Sequence, residues 1–341
     1  MAFATTLTIQ NRTSGFKYRR AIFAYIDKDG KEKYVDGLDI KFEIKSGGEV
    51  MLPIARIDVC NLETEVMKRL TTIYRFDNNN RVALYVGYED NLNGRKKTIL
   101  PKIFEGRIQH SAFTFIPDMW LEMYCLADKA QIYDTVFSEE ESLEVLGITN
   151  IKGLIDWLKE KLRQKGYSFS VEVNEKDFKD IILYNILFRN TDTTGLPFNF
   201  SPLNFNIAGK NAIEVLRQIG QTYNLSIWGV SENHFVIKPK TNYIKDDKSV
   251  NVKWEIKAET GMIGVPTISV QQAEVTVLMN PRIYAGDGVN LYSRRYKGVS
   301  VQRGSNAVAS NGKYTVYGVT HRGHLRGNEW YSKLLMTRGG W

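Results

Sequence analysis

The chain of 341 residues carries 43% hydrophobic and 25% charged side chains, 12% aromatics and a net charge of +8. That length accommodates two or three domains with ordinary cores, and the 8 Pro without any biased tract exclude long disordered linkers. No apolar run approaches the length of a membrane helix, and MAFATTLTIQNRTSGFKYRR has no apolar stretch behind positive charge, so neither a membrane span nor a signal peptide is expected.

Residues 1–130 alternate polar and apolar with the period of strands. Strands are expected at Thr6–Asn11, Arg20–Tyr25, Asp39–Ile44, Ala55–Cys60, Arg81–Tyr88, Lys102–Phe115 and Trp120–Ala127. DKDG (Asp27–Gly30), SGG (Ser46–Gly48), DNNN (Asp77–Asn80) and NLNG (Asn91–Gly94) supply the turns between them. One short amphipathic helix, Glu63–Thr72, follows Asn61-Leu62.

Residues 131–249 read differently. Asn150–Lys165 sets Ile151, Leu154, Ile155, Leu158 and Leu162 on one helical face, with Gly166 as a stop, and YSFSVEV then reads as a strand. Lys210–Tyr223 is a second helix, followed by LSIWGV and HFVIKPK as a hairpin turning at Ser231-Glu232-Asn233. From residue 250 strands return at Asn251–Ile256, Gln271–Leu278, Gly288–Ser293, Lys313–His321 and near Trp330–Met336, with Asn306–Gly312 as a loop. The order is β, then α/β, then β, an α+β chain.

The charge is uneven: residues 251–341 hold 12 basic and 5 acidic side chains, nearly the whole excess. A basic end suits a polyanion or an acidic partner, and equally an ordinary solvated surface. Cys60 and Cys125 lie in apolar strand-like runs and read as small core residues in reducing surroundings.

Catalytic constellations are not found. HRGH (His321–His324) follows a strand and enters a loop, with no Cys or carboxylate at ligand spacing. Gly286 and Gly288 lie between two strands, so GDG is a turn supplying positive φ rather than a phosphate cradle. Glu139–Ser142 and Asp246-Asp247 are solvated linkers, and no nucleophile elbow or zinc-protease motif occurs. Arg294, Arg295 and Lys297, with Tyr296 among them and Arg303 beyond, form the densest basic stretch. No cofactor, metal or catalytic residue is expected.

Four segments in order then carry a resemblance: ARIDVCNL (Ala55–Leu62), RVALYVGYED (Arg81–Asp90), KIFEGRIQHSAF (Lys102–Phe113) and PDMWLEMYCLAD (Pro117–Asp128). Near the other end come GMIGVP (Gly261–Pro266), LMNPRIYAGDGVNL (Leu278–Leu291) and NGKYTVYGVTHRGHLRGNEWYSKL (Asn311–Leu334). With these the chain resembles the baseplate hub proteins of tailed phages, relatives of the hub part of type VI secretion spike proteins.

The resemblance implies two tube-type antiparallel β-barrel domains, residues 1–130 and 250–341, joined by a small α/β region. It implies a homotrimer whose six β domains form a pseudo-sixfold ring between the hexameric tail tube protein and the trimeric central spike protein. Other baseplate proteins would be neighbours, DNA would pass transiently through the bore, and the place would be the virion after assembly in the host cytoplasm. Gly261 and Gly264 would turn the chain before Pro266, Val270–Leu278 would continue a sheet across a chain boundary, and Asn280, Pro281, Gly286 and Gly288 would make the next turn. Arg294, Arg295, Lys297 and Arg303 would face either the lumen or a partner. The alternatives are a β-rich tail-tip module stacking a cell-surface glycan on Trp330, Tyr331 or Trp341, of which Trp330 reads better as a packing residue of the last domain, and an enzyme in 150–240 built on Asp156, Glu160, Glu172 or Glu175.

Overall fold

The computed structural model describes residues 3–10, 18–47, 53–72, 80–89, 97–115, 117–127, 137–138, 151–164, 168–171, 207–223, 225–231, 234–239, 250, 252–269, 271–297 and 311–338. Arg303, Trp341, Glu172, Glu175, Glu139–Ser142, Asp246-Asp247 and most of the Asn306–Gly312 loop lie outside these residues. The chain divides into two units: Met1–Gly47, Leu52–Asp128 and Asp247–Arg338 form one, and Lys129–Asp246 with the short pieces Gly48–Met51 and Gly339–Trp341 forms the other.

The first unit begins with β1 (Thr6–Gln10), β2 (Arg19–Ile26), β3 (Glu32–Val35), β4 (Ile40–Gly47) and β5 (Ile54–Cys60). After helix α1 (Thr64–Thr72) come β6 (Arg81–Tyr88), β7 (Lys97–Thr114) and β8 (Trp120–Ala127). The same unit resumes with β12 (Val252–Ile256), β13 (Met262–Ile268), β14 (Gln272–Leu278), β15 (Gly288–Leu291), β16 (Gly312–His324) and β17 (Trp330–Thr337). All fourteen strands belong to one sheet, in the order β13-β14-β17-β16-β4-β5-β8-β7-β6-β2-β3, with β1 on β7 and β12-β15 on β16. Among the described residues this path stays open from β3 to β13 rather than closing into two barrels.

The sequence explains the layering. β8 and β14 alternate inward and outward residues, so one face of each is buried. β2 is buried on both faces: Ala21, Phe23 and Tyr25 enter the main core, whereas Ile22, Ala24 and Ile26 meet Phe3, Ile9, Ala83, Tyr85 and Leu100. The Asn-Leu that ends β5 has a physical reason. Asn61 is the one described non-glycine residue at positive φ, where asparagine is tolerated, and Leu62 is buried.

Two sets of five strands share order and pairing, and share register apart from a bulge in β13. β4-β5-β8-β7-β6 is matched by β13-β14-β17-β16-β15. Ile54–Cys60 pairs with Leu126–Trp120 as Gln272–Leu278 pairs with Thr337–Tyr331. β7 skips Gln109 opposite β8, and β16 skips Tyr317 opposite β17, at the matched place. Arg81 opposite Arg107 is matched by Gly288 opposite Thr315. The sets differ beyond this frame, since β6 pairs β2 antiparallel while β15 pairs β12 parallel.

The second unit contains α2 (Ile151–Gln164), β9 (Ser168–Val171), α3 (Ala212–Tyr223), β10 (Leu225–Ser231) and β11 (His234–Pro239). Leu154, Ile155, Leu158 and Leu162 are the buried face of α2, as their spacing predicts. Asn211 and Glu214 form a reciprocal capping box at the start of α3. The hairpin β10-β11 continues to β9, which runs parallel to β11.

Candidate functional site

The residues of interest lie where the two five-strand sets meet. β16 is long enough to hold two partners on one edge: Gly312–Thr315 pairs with β15, and Gly318–His324 pairs antiparallel with β4. Gly47 sits opposite Gly318 at φ 132, and a Cβ there would fall 2.4 Å from the Gly318 Cα, so the strands approach closely at this end because Gly47 lacks a side chain. At the other end Gly323 leaves room for Phe42, whose ring stands 5.7 Å from Trp330 in an edge arrangement. Trp330 is 2% exposed, with Tyr88 6.3 Å away and the Arg19 guanidinium over its ring.

Polar groups fasten the same seam. Arg322 binds the Glu43 carboxylate through both Nε and Nη2. Lys45, and after it Arg322, hold the Glu43 carboxyl below its ordinary value. His324 Nε2 lies 2.9 Å from Asp39 Oδ2, the Arg326 amide donates to Asp39 Oδ1, and the Leu325 amide donates to Ile40 O. Arg19 donates to Gly327 O at 2.6 Å. A continuous row of backbone and side-chain bonds thus welds the C-terminal set to the N-terminal one.

The two histidines of HRGH belong to strand β16, not to a loop, and three residues apart on a strand they face opposite ways. His321 is buried with Nδ1 2.8 Å from Ser332 Oγ, and burial pushes its pKa down to about 4. His324 faces Asp39 and the Trp120 ring instead. They share no ligand site. Trp330 packs in the seam, in keeping with its reading as a packing residue, and offers no ring face to a glycan. Asp156 is an exposed helix residue, and Glu160 bonds Arg163 on the same helix.

The expected turns are partly rearranged. Gly261, at φ 102, ends a 3-10 turn and accepts the Leu278 amide through its carbonyl. Gly264 and Pro266 do not turn the chain; both lie within strand β13, where Gly264–Pro266 stands opposite Val275 as a bulge. A bulge supplies positive φ for Gly264 and tolerates the donor Pro266 lacks. Consequently β14, the strand expected at a chain boundary, lies inside the sheet, and β13 is the edge. Asn280 Oδ1 accepts the Arg282 amide across Pro281, and Gly286, at φ 90, donates to Val316 O at 2.7 Å. Gly288 opens strand β15 rather than closing the turn.

Arg294, Arg295 and Lys297 are exposed around a 3-10 turn, while Tyr296 between them packs on the C-terminal core. Arg294 reaches Glu259 at 3.4 Å, a pair exposed on both sides. No group of His, Cys, Asp and Glu that would hold a metal occurs among the described residues, and no described helix is long and apolar enough to cross a membrane.

No family model matches the sequence, and no curated protein matches it. The fold is nevertheless one shared with phage tail proteins. A tail protein from Neisseria meningitidis MC58 aligns with TM-score 0.53 at 8% identity over 94% of this chain and 96% of its own. The 43 kDa tail protein of prophage MuSo2 from Shewanella oneidensis aligns with TM-score 0.54 at 9% identity over 94% and 97%. An E. coli type VI secretion component, described as structurally similar to T4 bacteriophage tail proteins, aligns at TM-score 0.47 over 89% and 76% with 9% identity.

Proposed function

We propose that the chain is a non-catalytic tail hub subunit, three copies of which form a pseudo-sixfold ring between a hexameric tail tube and a trimeric central spike. The observation that carries this is the register-matched pair of five-strand sets, joined edge to edge within one chain. Two equivalent sets per chain and three chains give six similar units, which is the symmetry a hexameric tube meets. Each set is then read as one tube-type domain, residues 1–130 and 250–341, with 131–249 as the insertion between them. The shared fold with two phage tail proteins along nearly their full length supports the same role.

The partners in this reading are two further copies, the tail tube protein, the central spike protein and other baseplate proteins, with DNA passing through the bore. The place is the virion tail, after assembly in the host cytoplasm. No cofactor enters. Arg294, Arg295 and Lys297 face either the lumen or a neighbouring protein. Negative-stain images of the purified protein at high concentration test the reading: rings with a central bore and six lobes are expected, and compact particles without a bore would refute it.

A further inference from the structure

In each five-strand set the long strand, β7 or β16, carries one edge with room for two partners. On β16 both places are filled, by β15 and then by β4 of the same chain. On β7 the first place is filled by β6 as far as Arg107. There the ladder is closed by Asn80 Nδ2 donating to Ile108 O, just as the Gly286 amide closes the matched position at Val316. The end of α1 meets the next stretch at Ser111, whose hydroxyl donates to Leu70 O. From Ala112 to Phe115, no strand pairs with this edge among the described residues. The counterpart of β4 is β13, which pairs with β14 on one side and with no described strand on the other.

Both unfilled edges present apolar side chains to solvent. Phe113 and Phe115 are 37% and 66% exposed on β7, with their rings 6.0 Å apart. Ile263 and Val265 are 44% and 58% exposed on β13. Exposed apolar edge strands associate indiscriminately unless a designated partner covers them. We propose that Ala112–Phe115 of one copy receives β13 of a second copy as an antiparallel strand, repeating between chains the junction that β16 and β4 make within one. This rests on the ring reading and names its contact.

The internal register sets the external one. Arg322 opposite Glu43 and His321 opposite Ile44 become Thr114 opposite Thr267 and Phe113 opposite Ile268. Phe115 then stands opposite the Gly264–Pro266 bulge, in the place where Gly323 meets Phe42. The contact is head-to-tail, so each copy uses one edge as giver and the other as receiver. Such contacts propagate until rotation closes them into a ring.

The test mixes two single variants, Thr114→Cys and Thr267→Cys, under mild oxidation. Directly opposed strand residues lie within disulfide range, and the native Cys60 and Cys125 are both buried. The mixture is expected to give a covalent dimer that neither variant gives alone, and the double variant a covalent trimer. A dimer formed by Thr114→Cys alone would mean a symmetric contact and would overturn the head-to-tail pairing. No cross-link while light scattering reports a trimer would overturn the pairing and leave the ring standing. No cross-link from a chain that stays monomeric at every concentration would overturn both.

Discussion

The two five-strand sets have one frame and opposite fates at the same edge. In the C-terminal set the edge of β16 is covered by β4, with Gly323 against Phe42, a buried Trp330, and the partly exposed Arg322 clamped to Glu43. In the N-terminal set the matched edge of β7 carries Thr114 and two exposed phenylalanines. The contrast teaches that burial at this position depends on whether a β4-like strand is present, not on the frame itself. In the proposed ring one junction is kept inside the chain, and one donor edge and one acceptor edge are left for the neighbouring copies.

The sharpest way to break the comparison is to strike the covered seam. Trp330→Ala removes a ring packed against Phe42 and Tyr88, and should cost about 3–5 kcal/mol in denaturant unfolding. A loss under about 1 kcal/mol would mean the seam is not a true interior.

Next in size is acid. His321 titrates at about 4 in the folded chain against an ordinary value of 6.5, so its neutral form is the one the fold accepts. Above pH 6.5 its contribution is fully present; between pH 6.5 and 4 the unfolded chain takes up a proton that the folded chain refuses. That loss should approach roughly 3 kcal/mol at pH 4 and then level off. His321→Asn should flatten this part of the stability–pH curve, and an unchanged slope would assign it to other groups.

Arg322→Ala should cost no more than about 1 kcal/mol, because both partners of its pair are partly exposed. Smallest on stability, though not on assembly, is Phe115→Ser: within about 0.5 kcal/mol of the parent in unfolding, with a clear shift toward monomer in sedimentation. If it leaves assembly unchanged, the exposed edge of β7 is not a contact.

Much of this fold was legible because its strands alternate. Trp120–Ala127 is the span read from the sequence, Arg81–Tyr88 was legible instead as an apolar run that is buried on both faces, and α1, α2 and α3 follow their apolar periodicity. Two strands were not legible. β3 is the charged run Glu32–Val35, which lies at the end of the sheet path and lacks an inward apolar stripe. β13 contains Gly264 and Pro266, which signal a turn locally but here make a bulge in an edge strand, something only the partner strand β14 decides. HRGH read as a loop because its glycine and charges mask a strand held by β4, almost three hundred residues away in sequence. The seam itself had no local signal, since Arg322 and Glu43 meet across that separation. Its trace in the sequence was indirect, in the ordered motifs of both ends.

The most direct measurement is the mass of the purified protein by light scattering across a range of concentrations. The account predicts a species at three times 39.1 kDa that forms as concentration rises. A mass that stays at 39.1 kDa throughout, or settles at an even multiple, would contradict a threefold ring.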